Sequence, residues 1–196
     1  MFRAPAWLAA AVVTLALLAS CSQPYAFQGT AFPEPLARPD FELTSEASQP
    51  FSLSDQQGKV VLLFFGYTSC PDICPTTLAE ARTILNDLGG DVDNVEFLFI
   101  TADPERDSPE KLAAYTDAFH PAIVGLTGTP EELAAVYSDF KVRVEREETP
   151  DSALGYQINH TSRMYLVDQD GNLRLSYSYG TPPEQIVKDV KHLLKS

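Results

Sequence analysis

The sequence predicts a mixed α/β domain built on a largely parallel central sheet, and three observations predict it. Residues 59–65, Lys-Val-Val-Leu-Leu-Phe-Phe, form an unbroken apolar run rich in β-branched and aromatic residues, the mark of a strand buried on both faces. Residues 95–101 repeat that character around Phe97-Leu98-Phe99-Ile100. Around these runs lie segments whose apolar residues fall at helical spacing, so strands and helices alternate along the chain.

The chain opens with Arg3 as the only charge before an apolar run over residues 6–18, which closes as Leu18-Ala19-Ser20-Cys21. That run is short for a membrane span and has the shape of a signal peptide. Its ending resembles a bacterial lipoprotein box, in which the cysteine is acylated and becomes the mature N-terminus. The expectation is therefore a leader over 1–20 and a protein of the cell envelope, outside the cytoplasm, anchored to the membrane through lipid on Cys21. Residues 21–39, with Pro24, Pro33, Pro35 and Pro39, read as an extended tether. The folded domain is expected over 40–196.

Within the domain, Phe41-Glu42-Leu43 and Phe51-Ser52-Leu53 alternate around a polar turn and predict an N-terminal hairpin. The first buried strand ends at Gly66-Tyr67-Thr68-Ser69, and a helix follows with Leu78, Ala81, Ile84, Leu85 and Leu88 on one face and Gly89-Gly90 at its end. After the second buried strand, Ser108-Pro109-Glu110 starts a helix with a cap and a proline in its first turn. A short strand is expected around residues 123–126, and Thr129-Pro130-Glu131-Glu132 is a capping box for the next helix. Residues 145–157 read as a loop or weak hairpin. Residues 164–167 and 173–179 flank Asp168-Gln169-Asp170-Gly171 as an antiparallel hairpin, and Thr181-Pro182-Pro183-Glu184 is expected to cap a final helix. This order, with a cysteine pair after the first buried strand, is that of a thioredoxin-like fold with an insertion. No internal repeat and no second domain is visible.

Removing residues 1–20 takes away only Arg3, so 13 basic residues against 27 acidic ones leave a net charge of −14. That balance argues against nucleic acid and against docking on anionic lipid surfaces. A domain of this length buries a full core without staples, and nothing in it requires more than a monomer.

With Cys21 given to lipid, two of the three cysteines remain, Cys70 and Cys74, at the point where a buried strand turns into a helix. Free backbone N–H groups and the positive end of the dipole favour anionic sulfur there. Their spacing, expected to place both on one helical turn, allows either a disulfide or a shared metal. Two thiolates select Cu(I), zinc or iron–sulfur, and too few cysteines are present for the last. Two thiolates plus one imidazole make a three-coordinate site that suits copper. Of the three histidines, His192 is expected on the solvated side of the last helix, His120 can cap a helix end, and His160 follows the polar segment 145–157. Spacing favours none of them.

Phe64-Phe65-Gly66-Tyr67-Thr68-Ser69-Cys70-Pro71-Asp72-Ile73-Cys74-Pro75 resembles the signature of the Sco/SenC family of thioredoxin-like copper proteins. Asp103-Pro104-Glu105-Arg106-Asp107 resembles the family's second motif, and Asn159-His160-Thr161-Ser162-Arg163-Met164 its third. Asn159 departs from the pattern, since an Asp often precedes the histidine. The resemblance implies copper, Cu(I) or Cu(II), one per monomer, held by Cys70, Cys74 and His160, the last presented by the inserted loop or hairpin. It implies work on the dinuclear copper centre of cytochrome c oxidase subunit II. That work is either copper delivery or reduction of the subunit's ligand cysteines by Cys70 or Cys74, with Cys70 the expected attacker, alongside another copper carrier or thiol reductase. Tyr67 is expected to shield the site and Asp72 to stay solvated. Asp103 and Asp107 are expected either as turn chemistry or as an acidic patch that docks a partner or tunes the redox chemistry. Two thiolates and a neutral imidazole give a net charge of −1 around Cu(I) and 0 around Cu(II), so oxidation state is expected to bias the position of the loop.

Overall fold

The structure is a computed structural model that describes residues 25–36, 39–150, 152 and 154–196. The leader, Cys21 and the start of the tether lie outside the described residues. Ten strands are present: β1 (Thr30–Leu36), β2 (Glu42–Ser45), β3 (Pro50–Ser52), β4 (Val60–Gly66), β5 (Val95–Thr101), β6 (Ile123–Thr127), β7 (Val144–Thr149), β8 (Gly155–His160), β9 (Arg163–Val167) and β10 (Leu173–Ser178). Four α-helices join them: α1 (Ile73–Leu88), α2 (Pro109–Asp117), α3 (Pro130–Asp139) and α4 (Pro183–Leu193). Eight strands form one sheet in the order β1-β10-β9-β4-β5-β6-β2-β3. Its centre, β4-β5-β6, is parallel, and the strands on either side are antiparallel. β7 and β8 make a separate two-stranded ribbon.

Every residue of β4 is buried, which is why its sequence shows no alternation. Its side chains still alternate in space. Val60, Leu62 and Phe64 enter a core with Leu78, Ile84 and Leu88 of α1 and Ile186, Val190 and Leu193 of α4. Val61, Leu63 and Phe65 enter a second core, on the other face, with Phe41, Leu43, Leu133, Val136 and Phe140. The sheet is thus covered by helices on both sides, the layering expected for this element order. The N-terminal hairpin is present as β2 and β3, with Leu43 opposite Phe51, and extends the sheet at β6. The segment expected as a loop or weak hairpin is the β7–β8 ribbon.

The domain starts earlier than residue 40. Residues of β1, expected within the tether, pair antiparallel with β10. Prolines suggested a tether, but β1 is the outermost strand, where a missing N–H leaves no ladder bond unmade. The segment just before it is fastened by Asp189, a fully buried carboxylate on α4. Asp189 accepts hydrogen bonds from the Tyr25 and Tyr177 hydroxyls at 2.9 and 3.0 Å and from the backbone N–H groups of Gln28 and Gly29. Burial and the bond to Asp189 push the Tyr25 hydroxyl up to about 12. Gly29 is required here, because a Cβ would lie 2.6 Å from the Tyr177 ring.

Asp189→Ala leaves four donors without their acceptor. It is expected to cost about 3 kcal/mol in urea unfolding, with hydrogen exchange rising first over residues 25–36.

Candidate metal centre

The site is assembled from three places in the fold: the turn after β4, the first turn of α1 and the end of β8. Cys70 does not lie on the helix. It sits in the turn before α1, whereas Cys74 is inside the helix's first turn, so the two sulfurs do not share one helical face as the spacing suggested. Instead the Cys70 sulfur accepts the Cys74 N–H at 3.4 Å, occupying the place of a capping oxygen. Asp72, at the N-cap, makes no side-chain capping bond and is exposed, as expected for a solvated carboxylate.

Cys74 is fully buried and Cys70 is half-buried, and both are free thiols. Cys74 has room only because residue 66 is glycine: a Cβ there would stand 2.9 Å from the Cys74 sulfur and 2.7 Å from the Phe99 ring. The two thiols differ sharply. The Cys74 thiol donates to Cys70, and with help from His160 and the backbone N–H groups of Asp72 and Cys74 this pulls the Cys70 thiol down to about 4 despite partial burial. The same bond and burial push the Cys74 thiol far up. Cys70 is therefore the thiolate of the pair and Cys74 its proton donor.

His160 completes the group. Its Nε2 lies 3.6 Å from the Cys74 sulfur, and the ligand atoms of Cys70, Cys74 and His160 all lie within 4.8 Å of one another. The ring stands edge-on to Phe64 and Tyr67, with centroids 5.9 and 6.0 Å away. Tyr67 is buried, and burial raises its hydroxyl. A cleft of about 240 Å³ lined by Tyr67, Cys70, Ile73, Ile158, His160 and Ser162 opens the site to solvent. Among the described residues this is the one group of three metal-ligating side chains so disposed. His120 lies elsewhere and accepts the N–H of Ala122 through Nδ1, rather than capping the carbonyls of the helix end as expected. His192 is not solvated as expected: its ring stacks on Tyr25 at 3.7 Å.

The loop after β5 links the parts of the site. Asp107, 1% exposed, accepts from the Thr68 backbone N–H at 3.1 Å, the Thr68 hydroxyl at 2.6 Å and the Thr101 hydroxyl at 2.7 Å. That ties the thiol-bearing turn to the end of β5. Asp103, 3% exposed, accepts from the Tyr156 hydroxyl and pairs with Arg106. The Arg106 guanidinium lies 3.7 Å from the Tyr156 ring centroid, and that of Arg146 lies at the same distance, so the ring is held between two cations. Arg106 also donates to the carbonyls of Leu154 and Tyr156. The loop thus holds the His160 ribbon as well as the cysteine turn. Both carboxylates face inward as ties between segments, and Glu105 is the exposed acid of the motif. Sequence reasoning missed Gly66, Thr68, Arg106, Arg146 and Tyr156 as parts of this arrangement. The quoted motifs contained three of them, but Tyr156 and Arg146 lay in the segment read as a loop or weak hairpin.

Comparison with known proteins agrees with this geometry. The family model described as SCO1/SenC matches residues 30–195. A SCO2-like protein of Rickettsia felis is 36% identical over 152 residues, which cover 78% of this chain and 74% of the relative. The copper-bound structure of Bradyrhizobium japonicum ScoI superposes with a TM-score of 0.73 at 37% identity, covering 80% of this chain and 98% of that one. BsSco, a member of the Sco family of cytochrome c oxidase assembly proteins in which a disulfide switch is identified, gives 0.66 at 25% identity over 85% and 98%.

Two outcomes test the site. Iodoacetamide is expected to modify Cys70 at a rate nearly flat from about pH 6 to 8, with Cys74 barely reacting; in Cys74→Ala the Cys70 profile moves up toward that of an ordinary thiol. Mass spectrometry of the modified peptides reads both. Tyr156→Ala is expected to speed hydrogen exchange over residues 144–160 about tenfold, and Tyr156→Phe less, since it keeps the ring between the guanidiniums.

Proposed function

The chain belongs to the SCO1/SenC family, and on that premise we propose that it is an extracytoplasmic, lipid-anchored copper protein that assembles the dinuclear copper centre of cytochrome c oxidase subunit II. One observation carries the reading. Two sulfurs and one imidazole nitrogen converge within 4.8 Å in a site that opens to solvent by a small cleft. Zinc prefers four ligands, and among the described residues no fourth ligating side chain joins the three. Three soft donors suit Cu(I), and the imidazole also allows Cu(II). Copper is the cargo here, one ion per monomer. It passes to the partner when partner thiolates replace Cys70, Cys74 and His160 in turn, His160 leaving first. The lipid on Cys21 keeps the domain at the membrane where the oxidase resides.

Loading requires both sulfurs as thiolates. Cys70 already is one at neutral pH, while Cys74 holds its proton, so binding Cu(I) between about pH 7 and 8 releases close to one proton and tightens about tenfold per pH unit.

A second reading is favoured by the same thiol asymmetry. A half-exposed low-pKa thiolate beside a buried protonated thiol is the arrangement of a dithiol reductase. The Cys70 thiolate attacks a partner disulfide, one partner sulfur leaves as a thiolate, and Cys74, losing its proton, displaces the other. The products are a Cys70–Cys74 disulfide and a reduced partner.

The domain, either Cu(I)-loaded or as metal-free dithiol, is mixed with the copper-free subunit II domain, either reduced or disulfide-bonded. Copper in the reduced partner supports delivery. Thiols freed in the oxidised partner without copper transfer support the reductase. His160→Ala is expected to lower copper affinity about a hundredfold and abolish delivery while sparing disulfide reduction. If neither copper nor thiols appear in the partner, the named partner is wrong.

A further inference from the structure

The acidic average of the chain conceals one basic face. Three of its six lysines fall in the last nine residues, as Lys188, Lys191 and Lys195. On α4 and its extension they stand three and seven residues apart, which places them on one side of the helix. Lys188 and Lys195 are exposed, and among the described residues none of the three forms an ion pair. Lys191 donates to the Asp87 carbonyl at 2.8 Å, which keeps its charge uncompensated. Together with Tyr25 and His192 they border one open groove, whose acidic side chains are Asp87 and Glu184. Asp189, the other acid of this helix, points into the core, where its bonds to Tyr25, Gln28, Gly29 and Tyr177 occupy it.

The same helix receives the start of the described chain. Tyr25 lies flat on His192 and donates to Asp189, so it sits on the lysine face rather than across the molecule from it. Only three residues separate Tyr25 from Cys21, and the four Cα–Cα steps between them reach at most ~14 Å. A lipid on Cys21 therefore holds this face against the bilayer. We propose that Lys188, Lys191 and Lys195 rest on the anionic phospholipid surface of the membrane that anchors Cys21, and that this orients the domain with its metal site outward. The inference rests on the lipid-anchor reading above.

Free in solution, three lysines beside two acids bind lipid feebly. An anchored domain has its face held within ~14 Å of the anchor, so it can come within a Debye length of the surface, about 8 Å, at no cost in translational freedom, and a weak attraction suffices to select one orientation. That orientation has a use. Lys191 fixes α4 to the C-terminal end of α1, and Cys74 lies at the other end of α1, thirteen residues away. At 1.5 Å per residue Cys74 lies about 20 Å along α1 from the Lys191 contact. The docked face therefore leaves the cleft uncovered and open to a partner domain that projects from the same membrane.

The test uses the full acylated chain in nanodiscs of phosphatidylcholine alone or with about one third phosphatidylglycerol. Lysines are labelled with an amine-reactive ester and quantified by mass spectrometry, with exposed Lys141 as the internal reference. Labelling of Lys188 and Lys195 is expected to fall about tenfold relative to Lys141 in anionic discs, and to recover in about 0.5 M salt. In Lys188→Ser/Lys195→Ser the remaining protection of Lys191 that depends on anionic lipid is expected to vanish. Equal labelling in the two kinds of disc, with the acyl mass on Cys21 confirmed, overturns the docked face and leaves the anchor standing. Absence of the acyl mass overturns both.

Discussion

The site depends first on the buried carboxylate of Asp107. Its oxygens take the backbone and hydroxyl donors of Thr68 and the hydroxyl of Thr101, so one charge holds the turn that carries Cys70 against the end of β5. A carboxylate removed from water in this way is tolerable only with its donors in place, which makes the arrangement rigid. Lys111, 3.6 Å away at the rim, supplies a countercharge. With that turn fixed, the Cys70 sulfur can stand where a cap belongs and the Cys74 sulfur can occupy the space above Gly66.

The third ligand is held differently. His160 ends a ribbon that stands apart from the main sheet and is joined to the same loop by Tyr156, Arg106 and Arg146. The Arg146 ion pairs lie at the surface and are worth little each, whereas the Asp103 carboxylate that takes the Tyr156 hydroxyl and Arg106 is buried. The sulfurs are thus set by the main sheet and α1, and the imidazole by a separate ribbon joined to them through one loop. Under the delivery reading proposed above, the imidazole is the donor that yields first, because its ribbon lies outside the main sheet.

Much of this was legible in the sequence. The two buried strands, the capped helices and the hairpins announced themselves because each is specified by local pattern: Val60 to Phe65 by unbroken apolarity, Thr129 to Glu132 by reciprocal capping. The two cysteines stood out by position and spacing, but His160 was named only through a resemblance of motifs, because its pairing with Cys74, 86 residues apart, has no local signal. β1 was missed for a related reason: its partner is β10 at the far end of the chain, and its own prolines suggest an unpaired tether. The inward aim of Asp103 and Asp107 was equally hidden, since an acidic motif reads the same whether its carboxylates meet water or Thr68, Thr101 and Tyr156. Net charge hides detail in another way, because an average over the chain says nothing about three lysines on one helix.

The clasp at Asp189 joins positions 161 residues apart, and β1 closes on β10 by a pairing almost as long. A ribosome makes the first of these partners long before the second. Until the last helix has emerged, the segment from Tyr25 to Gly29 has nothing to bind, and the outermost strand of the sheet has no neighbour. Loops this long close late on entropic grounds alone. The segment from Tyr25 to Gly29 therefore remains unpaired and accessible through most of synthesis, and joins the folded body only once α4 has formed. Any enzyme that must reach that end has the whole period of translation in which to do so.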